Sequence, residues 1–189
     1  MQNLIKQFQK NPVIPAARTL DGVKRASQTN AAAIFLLGGS ILTLPDMIVI
    51  AHECGKRAFV HLDVAEGLGR DEIAVRWCVE NNKADGVIST RPSLLKAASE
   101  MGALTIQRLF LMDSSSFEHG KRMLRNTPPD MAEVLPGIAP KAIRALCEAL
   151  NKPVIAGGLV SEPREIALAL QAGASAVSVG DEKLWDVNL

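Results

Sequence analysis

The chain has no tyrosine, and phenylalanine and tryptophan together supply only 4% of its residues. Proteins that hold single-stranded nucleic acid by stacking need such rings, so no stacking platform is expected. Charge of one sign is also scarce, with a formal net charge of +1. That argues against a large constitutive nucleic-acid footprint of the bulk electrostatic kind, although not against a local or ligand-gated patch. Cysteines are few and odd in number (Cys54, Cys78, Cys147), without CxxC spacing. No disulfide framework or zinc motif follows; each lies among apolar helix positions and is expected to be a buried free thiol in a reducing, cytoplasmic setting. No apolar run approaches the roughly 18 residues that span a bilayer. The opening segment MQNLIKQFQKNP has no apolar core, so neither a signal peptide nor a membrane association is expected. There is no HxH, HxxxH or carboxylate cluster to suggest a metal, and no lysine falls cleanly at a strand end for Schiff-base chemistry.

What the chain does have is rhythm. Its 189 residues are 48% hydrophobic, enough for one domain over residues 1–189. Short apolar runs recur at Val13–Ala17, Ala33–Leu37, Ala58–Asp63, Gly86–Ser89, Leu104–Phe110, Glu133–Leu135, Pro153–Ala156 and Ala176–Val179. Near-continuous apolar strands suit a parallel sheet covered on both faces. Between them lie helical stripes, such as Leu44, Met47, Ile48 and Ala51, or Leu94, Leu95, Ala98 and Met101. Gly55, Gly102, Gly173, Asn82, Asn126 and Asn151 punctuate expected helix ends in the left-handed conformation. Thr43, Thr90, Ser161 and Asp113 are expected N-caps, three of them followed by a proline. The unit is strand, loop, helix, turn, repeated about eight times. A compact single-domain (β/α)8 barrel accounts for the count better than an open doubly wound sheet.

In such a barrel the chemistry lies where strands end. After the seventh and eighth strands the sequence reads Gly157-Gly158 and Ser178-Val179-Gly180. Those are the loops that often bind phosphate in this fold, because glycine lets backbone N–H groups approach phosphate oxygens. The alternative reading of the glycine pair is tight turning. Arg108 is the candidate phosphate partner by its fork geometry, or else the mate of Glu133; by strand alternation Arg108 and Gln107 face opposite sides. His61 and Asp63 share strand parity and suit hydroxyl recognition, acid–base work or a satisfied polar core. Lys121, Arg122 and Arg125 crowd one helix and are candidate RNA phosphate contacts, against the alternative of a solvated face. This mouth looks able to bind but poorly equipped to react, so no catalytic residue is assigned.

At these residues the sequence resembles the glycerol uptake operon antiterminators, the glycerol-3-phosphate-responsive family. The stretches that carry it are IFLLGGSI (34–41), GKRAFVHLDVAEGLG (55–69), DGVISTRPSLLKAA (85–98), GALTIQRLFLMDSSS (102–116), EVLPGI (133–138), PVIAGGLVSEPREI (153–166) and AGASAVSVGDEKLW (172–185). The resemblance covers nearly the whole chain. It implies a non-catalytic barrel that senses glycerol 3-phosphate and acts on a leader mRNA to regulate a glycerol operon. It also implies a ligand role for Asp63, Arg108, Gly157, Gly158, Ser178, Gly180 and His61. The expectations are therefore a small phosphorylated effector, no cofactor, leader mRNA as partner, and a homo-oligomer as an open option. An enzyme acting on a small phosphorylated metabolite (isomerase, synthase or lyase) is the alternative, and a sensor that works through another protein is a further one.

Overall fold

The computed structural model describes residues 1–187. Eight strands, all parallel, close into a barrel in sequence order: β1 (Val13–Ala17), β2 (Ala33–Leu36), β3 (Arg57–His61), β4 (Gly86–Ser89), β5 (Leu104–Phe110), β6 (Met131–Leu135), β7 (Val154–Gly157) and β8 (Ala176–Val179). β8 closes onto β1 with Ile14 beside Ser178. The apolar runs of the sequence are thus the strands, with ends shifted by a residue or two.

Strand alternation divides the hydrophobic residues into two cores. Ile14, Phe35, Phe59, Ile88, Ile106 and Ile155 point inward and fill the barrel. The opposite parity, Val13, Ile34, Val60, Val87, Val134 and Val177, packs outward against the helices. Those helices are α2 (Leu20–Ser27), α3 (Leu44–Glu53), α4 (Glu72–Arg76), α5 (Pro92–Glu100), α6 (Ser114–Asn126), α7 (Pro140–Ala149) and α8 (Pro163–Gln171), each on the crossover between successive strands.

Two features depart from a uniform repeat. Helix α1 (Gln2–Lys10) precedes β1, and its buried Leu4 and Phe8 join the barrel interior from the end opposite the βα loops. After β8 the described chain makes only a 3₁₀ turn, Glu182–Leu184. Trp185 follows; its indole N–H donates to the Val179 carbonyl at 2.8 Å and its ring joins the outer core.

The punctuation is partly as expected. Gly55, Gly102 and Gly173 adopt φ of 70°, 80° and 106° at helix ends. Asn82, Asn126 and Asn151 do not: the left-handed residue after α4 is Lys83, at φ 60°. α4 runs on into a π-helical stretch, Trp77–Asn81. The Asn82 amide then donates back to the Trp77 carbonyl at 2.8 Å, which moves the turn on by one residue. Asp113 caps α6, accepting from the Ser116 amide while Ser116 accepts from the Asp113 amide. The N-caps of α5 and α8 are Arg91 and Glu162, one residue past the expected Thr90 and Ser161. Thr43 is the N-cap of α3 as expected, but its hydroxyl accepts from the Ser40 amide rather than from its own helix. Of the cysteines, Cys78 is buried, with its thiol pushed up to about 12 by burial, whereas Cys54 is exposed at the end of α3, contrary to expectation. Among the described residues no helix is long and apolar enough to cross a membrane.

Candidate functional site

A cavity of about 220 Å³ opens at the C-terminal ends of β1, β5, β6, β7 and β8. Arg108, Glu133 and Ser178 line it from the strands, Gly158, Leu159 and Val160 from the loop after β7, Gly180 and Asp181 from the loop after β8, and Arg18 from the end of β1. Four expected site residues therefore come together: Arg108, Gly158, Ser178 and Gly180. Gly157, Asp63 and His61 are not part of that lining.

A buried polar network forms beside the cavity. Register sets Arg108 on β5 against Glu133 on β6, and Arg108 Nε donates to Glu133 Oε2 at 2.6 Å. Ser178 Oγ, two strands further round, donates to Glu133 Oε1 at 2.6 Å. Glu133 has no exposed surface, so its oxygens are satisfied by these donors and not by water. Gly157 explains itself here: a Cβ on it would sit 2.3 Å from Ser178 Oγ and 2.8 Å from Glu133 Oε1. Its bareness makes room for the network. Gly158 adopts φ 77° and Leu159 follows at 61°, an abrupt turn that carries the chain from β7 across the mouth. A Cβ on Gly180 would meet nothing within 4 Å. The protein's own packing does not require glycine there, and the space above it is open to a ligand.

His61 ends β3, on the inward parity, and is 4% exposed. Neither ring nitrogen finds a hydrogen-bond partner among the described residues. Burial, helped by the positive charge of Arg108 and opposed by Asp63, lowers its pKa to about 4. It is neutral at physiological pH, with one donor and one acceptor to offer. Asp63, whose Oδ2 lies 3.6 Å from His61 Nε2, is occupied elsewhere. Its carboxylate accepts from Ser89 Oγ at 2.9 Å and from the Thr90 amide at 2.6 Å, tying β3 to the start of the β4–α5 loop. Burial alone would raise this carboxyl; the Thr90 amide and the Ser89 hydroxyl outweigh it and hold it below its ordinary value. Gln107 points away from the mouth and donates to the Ser89 and Thr90 carbonyls. Arg108 is thus the member of the pair that faces the interior.

The first turn of α8 offers little to an anion. Glu165 already accepts from the Ser161 and Glu162 amides, so these N-terminal donors are used internally. On α6, Lys121 pairs with Glu118 at 2.7 Å and lies over the Phe117 ring, whereas Arg122 and Arg125 are exposed. All three lie on the outer helical ring, away from the mouth cavity. Sequence reasoning passed over two residues of the cavity. Arg18, at the end of β1, carried no specific expectation, and Glu133 was expected only as the mate of Arg108.

Comparison with known proteins gives a consistent result. Residues 13–185 match the family model described as glycerol-3-phosphate responsive antiterminator. The uncharacterised protein YgcP of Escherichia coli (strain K12) is 35% identical over 182 residues, 96% of this chain and 95% of that one. Among solved structures, the glycerol uptake operon antiterminator regulatory protein of Listeria monocytogenes superposes with a TM-score of 0.89 at 31% identity, covering 94% of this chain and 96% of its own. A glycerol uptake operon antiterminator-related protein of Thermotoga maritima gives 0.82 at 32%, covering 93% and 98%. More distant barrels, enzymes among them, fall below 20% identity and share the fold alone.

Proposed function

The chain belongs to the glycerol-3-phosphate responsive antiterminators, and from that premise we propose that it senses glycerol 3-phosphate in the mouth cavity and acts in the cytoplasm on a leader mRNA. The observation that carries the reading is the family match, which runs from the first strand to the tryptophan after the last. The mouth is consistent with the ligand. It is small, about 220 Å³, and combines two arginines with the open ground above Gly180 and the sharp turn at Gly158. The buried neutral His61, outside that lining, holds an unpartnered donor and acceptor at the end of β3.

The regulatory step is a population shift. Ligand contacts made by the loops after β7 and β8 stabilise one arrangement of the βα loops, and RNA binds that arrangement better. The β5–α6 loop connects the mouth to the basic residues of α6, which makes Lys121, Arg122 and Arg125 the proposed RNA contacts. The test is an RNA titration over a range of salt, with and without glycerol 3-phosphate. The expected outcome is tighter RNA binding with ligand and a log–log salt slope that counts phosphate contacts. RNA affinity indifferent to the ligand would remove the gating model.

A second reading, turnover of a phosphorylated metabolite, draws on the His61–Asp63 pair. The reading as a sensor is favoured because Asp63 is committed to the β4–α5 loop. A turnover assay on triose and glycerol phosphates decides between them: activity lost in Asp63→Asn would select the enzyme.

A further inference from the structure

Exposed apolar side chains are spread unevenly over this barrel. Of the eleven large hydrophobic residues that stand exposed among the described residues, seven lie at the strand ends and loops around the mouth. They form two arcs. Ile41, Leu42 and Val64 stand on the loops after β2 and β3. Phe110, Met112, Ile138 and Leu159 stand at the ends of β5, β6 and β7. The strands follow one another round the barrel in sequence order, so the two arcs lie across the mouth from each other. The sectors between them are polar. Arg91 is exposed after β4 on one side, and Arg18 and Asp181 are exposed after β1 and β8 on the other.

Both arcs are held by backbone bonds. The Ile41 amide donates to the Glu66 carbonyl and the Glu66 amide to the Gly39 carbonyl, each at 2.9 Å, which ties the two loops of the first arc together. In the second arc the Gly137 amide donates to the Gly158 carbonyl at 3.0 Å. Leu159 then takes φ 61°, a backbone that a bulky residue rarely adopts, and is left 73% exposed. Strain that presents a leucine to water is explained if that leucine is covered in the working protein.

The charges beside the arcs differ in sign. Near the first, Asp71 caps α4, Glu72 pairs with Arg76, and Arg70 is turned onto the Asp63 carbonyl. That leaves the exposed Asp46 and Glu66 without a cation in ion-pair distance among the described residues. Near the second, Asp113 caps α6, Glu118 pairs with Lys121, and Glu162 and Glu165 form the capping box of α8. Lys141 and Arg164, exposed in the first turns of α7 and α8, have no carboxylate in ion-pair distance among the described residues.

We propose that this face is covered by a second copy of the chain, in a two-fold dimer that sets the β2–β3 arc of each copy against the β5–β7 arc of the other. At roughly 200 Å² for a large side chain, the seven residues together expose on the order of 800 Å², about what each partner gives to a standard interface. Neither arc reaches that alone, so the occupant must cover both. A two-fold interface is self-complementary, each patch meeting its counterpart twice. Here that brings apolar arc onto apolar arc, and the free carboxylates of one onto the free cations of the other. The axis runs over β4 on one side and over β8 and β1 on the other. Those polar sectors stay solvated, and the second of them leaves a way into the cavity that Arg18 and Asp181 line. The dimer is independent of what the mouth binds.

Analytical ultracentrifugation of the full chain tests this. The wild type is expected to sediment as a dimer at micromolar concentration. Leu42→Glu in one arc and Met112→Glu in the other are each expected to raise the dissociation constant by about a hundredfold or more, because each change occurs twice in the interface. Both side chains are exposed, so the thermal transition of the monomer should be kept. Charge reversal reads which surfaces meet. Asp46→Lys/Glu66→Lys and Lys141→Glu/Arg164→Glu are each expected to weaken the dimer by about tenfold or more at low salt. All four changes in one chain should restore it, since the arcs are then complementary again. A monomeric wild type would overturn the proposal, and so would a dimer indifferent to Leu42→Glu and Met112→Glu. Failure of the fourfold variant to recover would overturn the pairing of one arc with the other.

Discussion

Glu133 shows what a single buried residue costs and what it organises. It has no exposed surface and two donors, Arg108 and Ser178. Removing Arg108 strands the carboxylate, so Arg108→Ala is expected to destabilise the fold by about 3–5 kcal/mol in denaturant unfolding, whereas Arg108→Met/Glu133→Met costs far less. His61 supplies the second residue-scale expectation. Its folded pKa of about 4 lies below its ordinary 6.5, so the unfolded chain takes up the proton first. The contribution is complete above about pH 6.5 and is lost as pH falls towards 4, roughly 3 kcal/mol over the interval at about 1.4 kcal/mol per unit. His61→Leu should flatten the stability profile in that window. Asp63, with its pKa held below the ordinary 3.8, loses its contribution only at more acid pH, so the two are separable. A profile that is flat between pH 6.5 and 4 in the wild type would contradict the neutral, buried histidine.

At the scale of elements, the repeat is regular where each helix crosses between strands and irregular at its two ends. Helix α1 does the work of a plug: Phe8 is 1% exposed and packs inside the barrel among Ile14, Phe35 and Phe59. Phe8→Ala is expected to cost about 3–5 kcal/mol, read from the denaturant midpoint, although it lies before the first strand. Loss of well under 1 kcal/mol would mean that α1 merely rests on the barrel. Helix α6 begins in a reciprocal cap between Asp113 and Ser116. Asp113→Ala should cost about 1 kcal/mol, and because this cap fixes the β5–α6 loop it should also weaken the coupling between ligand and RNA. Asp113 was legible as a cap because a short polar side chain precedes a helical stretch. Thr43 stands at the N-cap of α3 but accepts from the Ser40 amide, whereas Thr90 and Ser161 fall one residue before the caps Arg91 and Glu162, a shift that the local pattern does not resolve.

For the molecule as a whole, the proposed ligand and RNA sites must obey reciprocity. If glycerol 3-phosphate tightens RNA binding by some factor, saturating leader RNA must tighten ligand binding by the same factor. Equal ligand affinity with and without RNA in calorimetry would break the scheme. Reversing the charges of Lys121 and Arg122 should abolish RNA binding and spare ligand binding, since α6 lies outside the mouth cavity. RNA affinity that survived both changes would move the RNA face elsewhere on the barrel.

The architecture was written in the chain. Eight apolar runs separated by amphipathic stretches can bury themselves only as parallel strands under helices, and the strand ends then follow within a residue or two, because apolar periodicity is a local property. The glycines after β7 and β8 and the opposite facing of Gln107 and Arg108 were legible for the same reason; that Arg108 is the inward one was decided by the structure. What only the tertiary structure decided is which charges meet. Arg108 and Glu133 are joined by the β5–β6 register, Ser178 arrives from β8, and Gly157 is bare so that these atoms can touch. The same closure of the barrel commits Asp63 to the neighbouring loop and leaves Arg18 at the rim without a carboxylate partner among the described residues. Pairing of charges depends on distances between segments far apart in sequence, and no pattern along the chain encodes them.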